Sequence, residues 1–183
     1  TPSFDLNKNK ILNLKFSKKF QKKIIVNPRF INNYKLGEKN IILQDSDLNL
    51  ILLGLDEKVI FKKQLNSKIV SEIFQVDLYK NNRLQFIFLT ETDLLVLDIK
   101  GNLVKKIALK KSVSNKYLSV FDYDNNRNYR FVIQIGNTLK MLDSKFKNVK
   151  GFKRTKVKSD IQQKLKHFRI MNKDYLILLG QDG

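Results

Sequence analysis

Apolar residues along this chain come in short runs rich in Ile, Val, Leu and Phe, separated by Asn, Asp, Lys and Gly. Runs of that length, bounded by turn formers, predict strands rather than helices. A first unit of four strands is expected at Asn40 to Gln44, Leu48 to Leu55, Val59 to Leu65 and Ile69 to Tyr79. A second runs Leu84 to Leu89, Leu94 to Leu97, Leu103 to Leu109 and Leu118 to Tyr123. The third runs Tyr129 to Ile135, Thr138 to Leu142, Val149 to Arg154 and His167 to Met171, and Tyr175 to Leu179 opens a fourth. Upstream, Ile11 to Phe16 and Ile24 to Ile31 belong to a partial unit. Only Ser159 to Lys166 has the capping residues of a short helix, and a loop ornament is the expectation there.

The strands repeat with a beat of about 45 residues. Leu55-Asp56, Leu97-Asp98 and Leu142-Asp143 each close an apolar run before a short polar turn. A second marker keeps step: Asp77 leads through Lys80-Asn81-Asn82-Arg83 into Phe86-Ile87-Phe88, and Asp122 through Asn125-Asn126-Arg127 into Phe131-Val132-Ile133. Two markers in phase indicate one supersecondary unit copied several times, each copy burying its apolar face on a neighbour. Four short strands per unit are the proportion of a β-propeller blade. The expectation is an all-β fold of four-stranded antiparallel sheets forming a partial propeller, with a β-sandwich as the structural alternative. Residues 1–39 form a partial blade with a basic N-terminal strand region, 40–83, 84–128 and 129–174 form blades, and 175–183 start another. Runs such as Ile41-Ile42-Leu43 and Leu176-Ile177-Leu178 suit inner strands packed on both faces, and the lysine-bearing third strands suit outer edges. An incomplete ring would leave Ile41, Leu43, Leu176 and Leu178 uncovered, so the isolated chain should associate.

Composition changes this picture little. Of 183 residues 42% are hydrophobic, too many for a disordered chain. The absence of cysteine removes disulfides, thiolate nucleophiles and cysteine-based metal sites. No apolar run reaches the roughly 18 to 20 residues that cross a bilayer as a helix. Thr1-Pro2-Ser3-Phe4 lacks a signal-peptide layout, and Gly180-Gln181-Asp182-Gly183 is turn chemistry directly after an apolar run, which reads as a segment of a longer protein. The net charge of +19 invites a nucleic-acid reading, but 30 of the 36 basic residues are lysine. Abundant Lys, Asn and Ile together also follow from AT-rich coding, and sequence-specific readers depend on the arginine fork. Nucleic acid is therefore not the expected partner.

At the turns a likeness emerges. Leu97-Asp98-Ile99-Lys100-Gly101-Asn102-Leu103-Val104 resembles the Leu-Asp-x-x-Gly-x-x-Val/Trp turn of quinoprotein-type propeller blades. Leu55-Asp56-Glu57-Lys58-Val59-Ile60-Phe61 is a shorter version, with Phe61 where such repeats often place tryptophan, and in Leu142-Asp143-Ser144-Lys145-Phe146 the glycine is replaced by Phe146. The wider run, including Lys166-His167-Phe168-Arg169-Ile170 and Asn172-Lys173-Asp174-Tyr175-Leu176, is similar to the propeller-like region of large flavobacterial (Bacteroidetes) proteins. The likeness covers about residues 40 to 183 and implies a fold and an envelope setting, not an activity. With no tryptophan for docking, no quinone cofactor is implied.

Candidate chemistry is sparse. Asp122, Asp124 and Asn126 alternate as in a calcium loop, yet the loop lacks the sharp-turn glycine and carries Arg127, so an inter-blade turn is expected. His167 is the sole histidine and has no nucleophile partner in a Gly-x-Ser-x-Gly elbow. Glu91 and Asp93 could pair for glycoside chemistry but fall in one hairpin turn. Lysines crowd two stretches, including Lys18, Lys19, Lys22 and Lys23, and Lys150, Lys153, Arg154 and Lys156; Phe16, Phe20, Phe146 and Phe152 interleave with them. The reading is a non-enzymatic, cofactor-free scaffold that contacts a protein partner or the flanking domains of its parent. The alternative is a binder of anionic polymer, nucleic acid or acidic glycan, through those possible anion-binding residues.

Overall fold

The computed structural model describes residues 17–33, 37–109, 115–153 and 156–181, and these are all-β. Strands β1 (Ile24–Asn32), β2 (Lys39–Asp45), β3 (Asn49–Leu53) and β4 (Val59–Gln64) form a first antiparallel sheet in chain order. Strands β5 (Phe74–Val76), β6 (Gln85–Leu89), β7 (Asp93–Leu97) and β8 (Leu103–Ala108) repeat that order in a second. A third sheet contains β9 (Lys116–Phe121), β10 (Arg130–Ile135) and β11 (Thr138–Asp143), and a fourth β12 (Lys166–Ile170) and β13 (Lys173–Ile177). These are β-propeller-type blades in an unclosed set.

The sheets and the sequence units are out of phase by one strand. Each sheet opens with the strand that the sequence grouping places last, so β5 pairs with β6 across the Asp77 loop and not with β4. Strand β4 carries Lys62 and Lys63 along a largely exposed edge, which blocks addition of a fifth strand there. The chain crosses to the next sheet instead. Two other elements differ from expectation. Residues after Asp143 make only isolated bridges, Leu142 to Asn148 and Thr138 to Lys156, in place of a regular Val149 to Arg154 strand, and Arg154 lies outside the described residues. Where a short helix was the alternative, residues 159–165 are an irregular loop leading into β12, with Ile161 and Leu165 buried between the third and fourth blades.

Because strand side chains alternate between faces, successive residues of each second strand point to opposite neighbours. Ile42, Ile87 and Val132 stand at a constant step of 45 residues and are all 0% exposed. Each faces forward into the following blade: Ile42 packs in a core with Phe86 and Phe88, Ile87 in one with Phe131 and Ile133, and Val132 in one with Ile161 and Leu165. The preceding residues, Phe86, Phe131 and Leu176, face backward into the same cores. Three inter-blade cores therefore hold the sheets together.

The uncovered surface is not where the sequence placed it. Ile41 (8% exposed) and Leu43 (1%) form a small core with Ile51 and Leu53, on which Phe20 and Ile24 pack. Leu176 and Leu178 pack on the third blade. The open face of the fourth blade carries the alternate residues Phe168, Ile170, Tyr175, Ile177 and Leu179, between 44% and 57% exposed. A shift of one position in a strand swaps the faces.

Candidate functional site

The loops between first and second strands are built by aspartate. In the β5–β6 loop, Asp77 Oδ1 accepts the Asn81 amide at 3.0 Å and Oδ2 the Asn82 amide at 2.8 Å, while Asn81 accepts from the Arg83 amide at 3.0 Å. In the β9–β10 loop, Asp122 does the same for Asn126 (3.0 Å) and Arg127 (2.8 Å), and Asn126 for the Asn128 amide (3.0 Å). Lys80 and Asn82, and their counterparts Asn125 and Arg127, take positive φ to aim those amides inward. The two loops then join. Arg127 Nη1 lies 2.7 Å from Asp77 Oδ2, whose side chain is 4% exposed, and the Asp77 amide donates to the Tyr129 hydroxyl at 3.1 Å. Asp124 instead pairs with Arg169 at 3.0 Å. The oxygens of Asp122 and Asn126 thus accept backbone amides and Asp124 pairs with Arg169, while the Arg127 guanidinium reaches the Asp77 carboxylate of the other loop.

The turns between third and fourth strands show a displacement. Asp98 Oδ1 accepts the amides of Lys100 and Asn102, both at 2.8 Å, and Asp143 Oδ1 those of Lys145 and Lys147, both at 2.9 Å. The backbone bond that closes each turn runs from the same two aspartates, Asp98 to Asn102 and Asp143 to Lys147, but from Gly54 to Lys58 in the first blade. Gly54, not Asp56, is therefore the counterpart of Asp98 and Asp143. Asp56 stands two residues later; it accepts a single backbone amide, that of Lys58 at 3.3 Å, and pairs with Lys58 Nζ at 3.1 Å. Its Oδ1 occupies the place where a Gly54 side chain would begin, so its carboxylate curls back into the vacated space. Asp98 is pulled upward in pKa by burial, but hydrogen bonds from Asn102 and Lys100 more than offset this and hold it below the usual carboxylate value. In the turn itself Gly101 takes φ +82°, and a β-carbon there would meet the Phe61 ring at 2.9 Å. Phe146 occupies the equivalent positive-φ site and stacks on Phe131 with ring centroids 5.2 Å apart.

Two glutamines act as latches. Gln44 Oε1 accepts the Ile69 amide and Gln134 Oε1 the Leu165 amide, each at 2.9 Å and each from the segment that leads into the next blade. Both side chains are 0% exposed. Sequence reasoning passed over them, although their separation of two repeats was a usable signal.

The remaining candidates are dispersed. His167 Nε2 lies 2.7 Å from Asp174 Oδ1, beside the rings of Tyr123 and Phe121. Hydrogen bonds from Arg169 first, then His167, hold Asp174 down at about 2, so this cluster ties β12–β13 to the β9–β10 loop. Asp93 is buried against Lys106 at 3.5 Å while Glu91 is exposed, so the pair does not share a surface. Lys18 donates to the Glu57 carbonyl, Lys22 pairs with Asp47 at 3.1 Å, and Lys19 and Lys23 belong to the same segment on the first blade. Lys150, Lys153 and Lys156 follow the last strand of the third blade. The aromatics between these lysines pack inward, Phe20 on the first blade and Phe146 and Phe152 on inter-blade cores, and Phe16 lies outside the described residues. One cleft of about 520 Å³ draws on all four blades: Ile25, Val26 and Arg29 from β1, 68–72 before β5, Tyr117 and Leu118 from β9, and Gln163 and Lys164 before β12. Among the described residues no group of three or more His, Asp or Glu is placed to hold a metal, and no helix is long and apolar enough to cross a membrane.

No protein-family model matches the chain, and no curated protein does. Solved structures do. A crystal structure of BBS1N in complex with ARL6DN, soaked with mercury, superposes with a TM-score of 0.64 at 11% identity over 88% of this chain. The chain spans 53% of that neighbour, a β-propeller, and at this identity the likeness is one of fold.

Proposed function

We propose that the chain is a non-catalytic scaffold and protein-interaction segment of a larger protein, completed by a further sheet laid on its fourth blade. One observation carries this reading. Ile177 stands at the same step as Ile42, Ile87 and Val132, which neighbouring blades bury to 0% exposure, yet it is 54% exposed. Phe168, Ile170, Tyr175 and Leu179 surround it with an apolar face larger than scattered surface hydrophobics explain. The fitting partner is an antiparallel sheet with an apolar backward face like those of Phe86, Phe131 and Leu176. Such a sheet can come from the parent chain or from a partner protein. The neighbour crystallised as a complex, BBS1N with ARL6DN, which supports an interaction role for this architecture. Kinship with quinoprotein-type blade repeats belongs to the same proposal, and the shared turn role of Asp98 and Asp143 supports it.

These 183 residues hold no cysteine, so a thiol introduced at position 177 is the only one within them and its labelling can be read from that segment. Ile177→Cys should react rapidly in the purified 183-residue chain and slowly in the protein as made in its own cells. Equal reactivity in both settings would contradict the proposal.

A further inference from the structure

The cleft where the four blades converge has an unusual charge balance. Arg29, Lys68 and Lys164 line it against a single carboxylate, Glu72, which leaves two positive charges uncompensated. Glu72 reaches both ways, to Lys164 Nζ at 2.7 Å and to Arg29 Nη1 at 3.6 Å. The hydrogen bond from Lys164 leads the causes that hold Glu72 below its ordinary pKa, so it is ionised at neutral pH. Lys68 makes no ion pair among the described residues. The walls are apolar, Ile25, Val26, Ile69, Val70 and Leu118, and the volume of about 520 Å³ is that of a small-ligand site. Apolar walls lower the local dielectric and strengthen the pull of three cations on an anion.

We propose that this cleft binds a carboxylate-bearing ligand, with Glu72 as an internal competitor that occupies two of its three cationic contacts until the ligand arrives. Carboxylate is favoured over phosphate because Glu72 already shows that Arg29 and Lys164 accept that group in this geometry. The carboxylate can be carried by a free dicarboxylate or by an acidic side chain of a protein segment. The proposal is independent of the open face of the fourth blade, since none of Phe168, Ile170, Tyr175, Ile177 and Leu179 lines this cleft.

A competitor and a structural brace predict opposite signs. Titration calorimetry with glutarate and with an oligoglutamate peptide identifies the source: binding of either supports the site, and binding of neither overturns it. Glu72→Gln should tighten the bound probe about threefold, because two cations are released to it, whereas Lys68→Glu should weaken it about tenfold. Lys68→Glu removes no ion pair, so its melting curve should match the parent and the comparison survives even if Glu72→Gln folds poorly. Unchanged or weaker binding by a folded Glu72→Gln protein would overturn the proposal. So would a single-stranded oligonucleotide that binds as tightly as the carboxylate probes and ignores both substitutions.

Discussion

Val132 and Ile177 occupy the same position in consecutive blades, yet one is 0% and the other 54% exposed. Val132 has Ile161 and Leu165 against it, supplied by the loop that leads into the fourth blade. Ile177 has no such cover among the described residues. Nothing in the local sequence distinguishes the two, since each is a β-branched residue within the apolar run of a second strand. What differs is the neighbour. In a repeat architecture a residue's burial is set by the next unit, so identical patterning gives a core in one copy and an interaction surface in another.

The largest expected contrast comes from truncating that series. Phe131→Ala and Ile87→Ala remove fully buried side chains from the second inter-blade core and should cost roughly 3–5 and 2–5 kcal/mol in urea unfolding. Ile177→Ala in the same 183-residue chain should change stability by no more than about 0.5 kcal/mol, as surface substitutions do. A loss at Ile177 comparable with that at Ile87 would mean that its face is already covered.

A second contrast lies between the loops. Arg127→Ala leaves the nearly buried Asp77 carboxylate without its cross-blade cation and should cost about 1–3 kcal/mol. Lys58→Ala removes a solvent-exposed partner of Asp56 and should cost at most a few tenths of a kcal/mol, roughly the value of surface ion pairs. Equal losses would show that the Arg127 contact is not a tie between blades.

The turns allow a finer comparison. Asp98→Ala and Asp143→Ala each remove the acceptor of two backbone amides and should cost about 1 kcal/mol, with a smaller loss for Asp56→Ala, which accepts one amide. Gly54→Asp alone should be destabilising because the Asp56 carboxylate fills its space, and adding Asp56→Ser should relieve that loss. A neutral Gly54→Asp single variant would contradict the displaced register.

The smallest effect is on pH. Asp45 is pushed up by burial but held below its ordinary value of 3.8 by Asn49 and the Asp47 amide, and Asp98 is lowered in the same way. Glu72 is lowered from 4.5, chiefly by Lys164. Groups with folded pKa values below the unfolded ones stabilise the native state fully above about pH 4.5 and lose that contribution as pH falls through the folded values. Chemical denaturation should therefore show a plateau from pH 5 to 7 and a decline below about pH 4, and a gain in stability on acidification would contradict these assignments.

The strand content was legible because short apolar runs and Asx-rich turns carry local signals, and the Leu-Asp turns in phase with the Asp77 and Asp122 loops gave the repeat. The grouping of strands was not legible. Pairing of β1 with β2 is decided by which edge remains open after lysines blunt β4, a tertiary fact absent from the local pattern. The same applies to faces: Ile177 and Leu178 are both apolar, and only the packing partner tells which one looks outward. Asp56 looked like Asp98 because both follow leucine, whereas the turn is registered by the backbone bond from Gly54. Gln44 and Gln134 escaped notice because polar residues inside apolar strands carry no motif of their own.

The most direct test is the association of the isolated 183-residue chain, by light scattering with hydrophobic-dye binding, against a Phe168→Ser/Ile177→Ser double variant. The open-face account predicts that the parent self-associates or binds dye, and that the variant is monomeric and dye-free with its melting temperature essentially unchanged. A monomeric parent that binds no dye and melts in one cooperative step would contradict it.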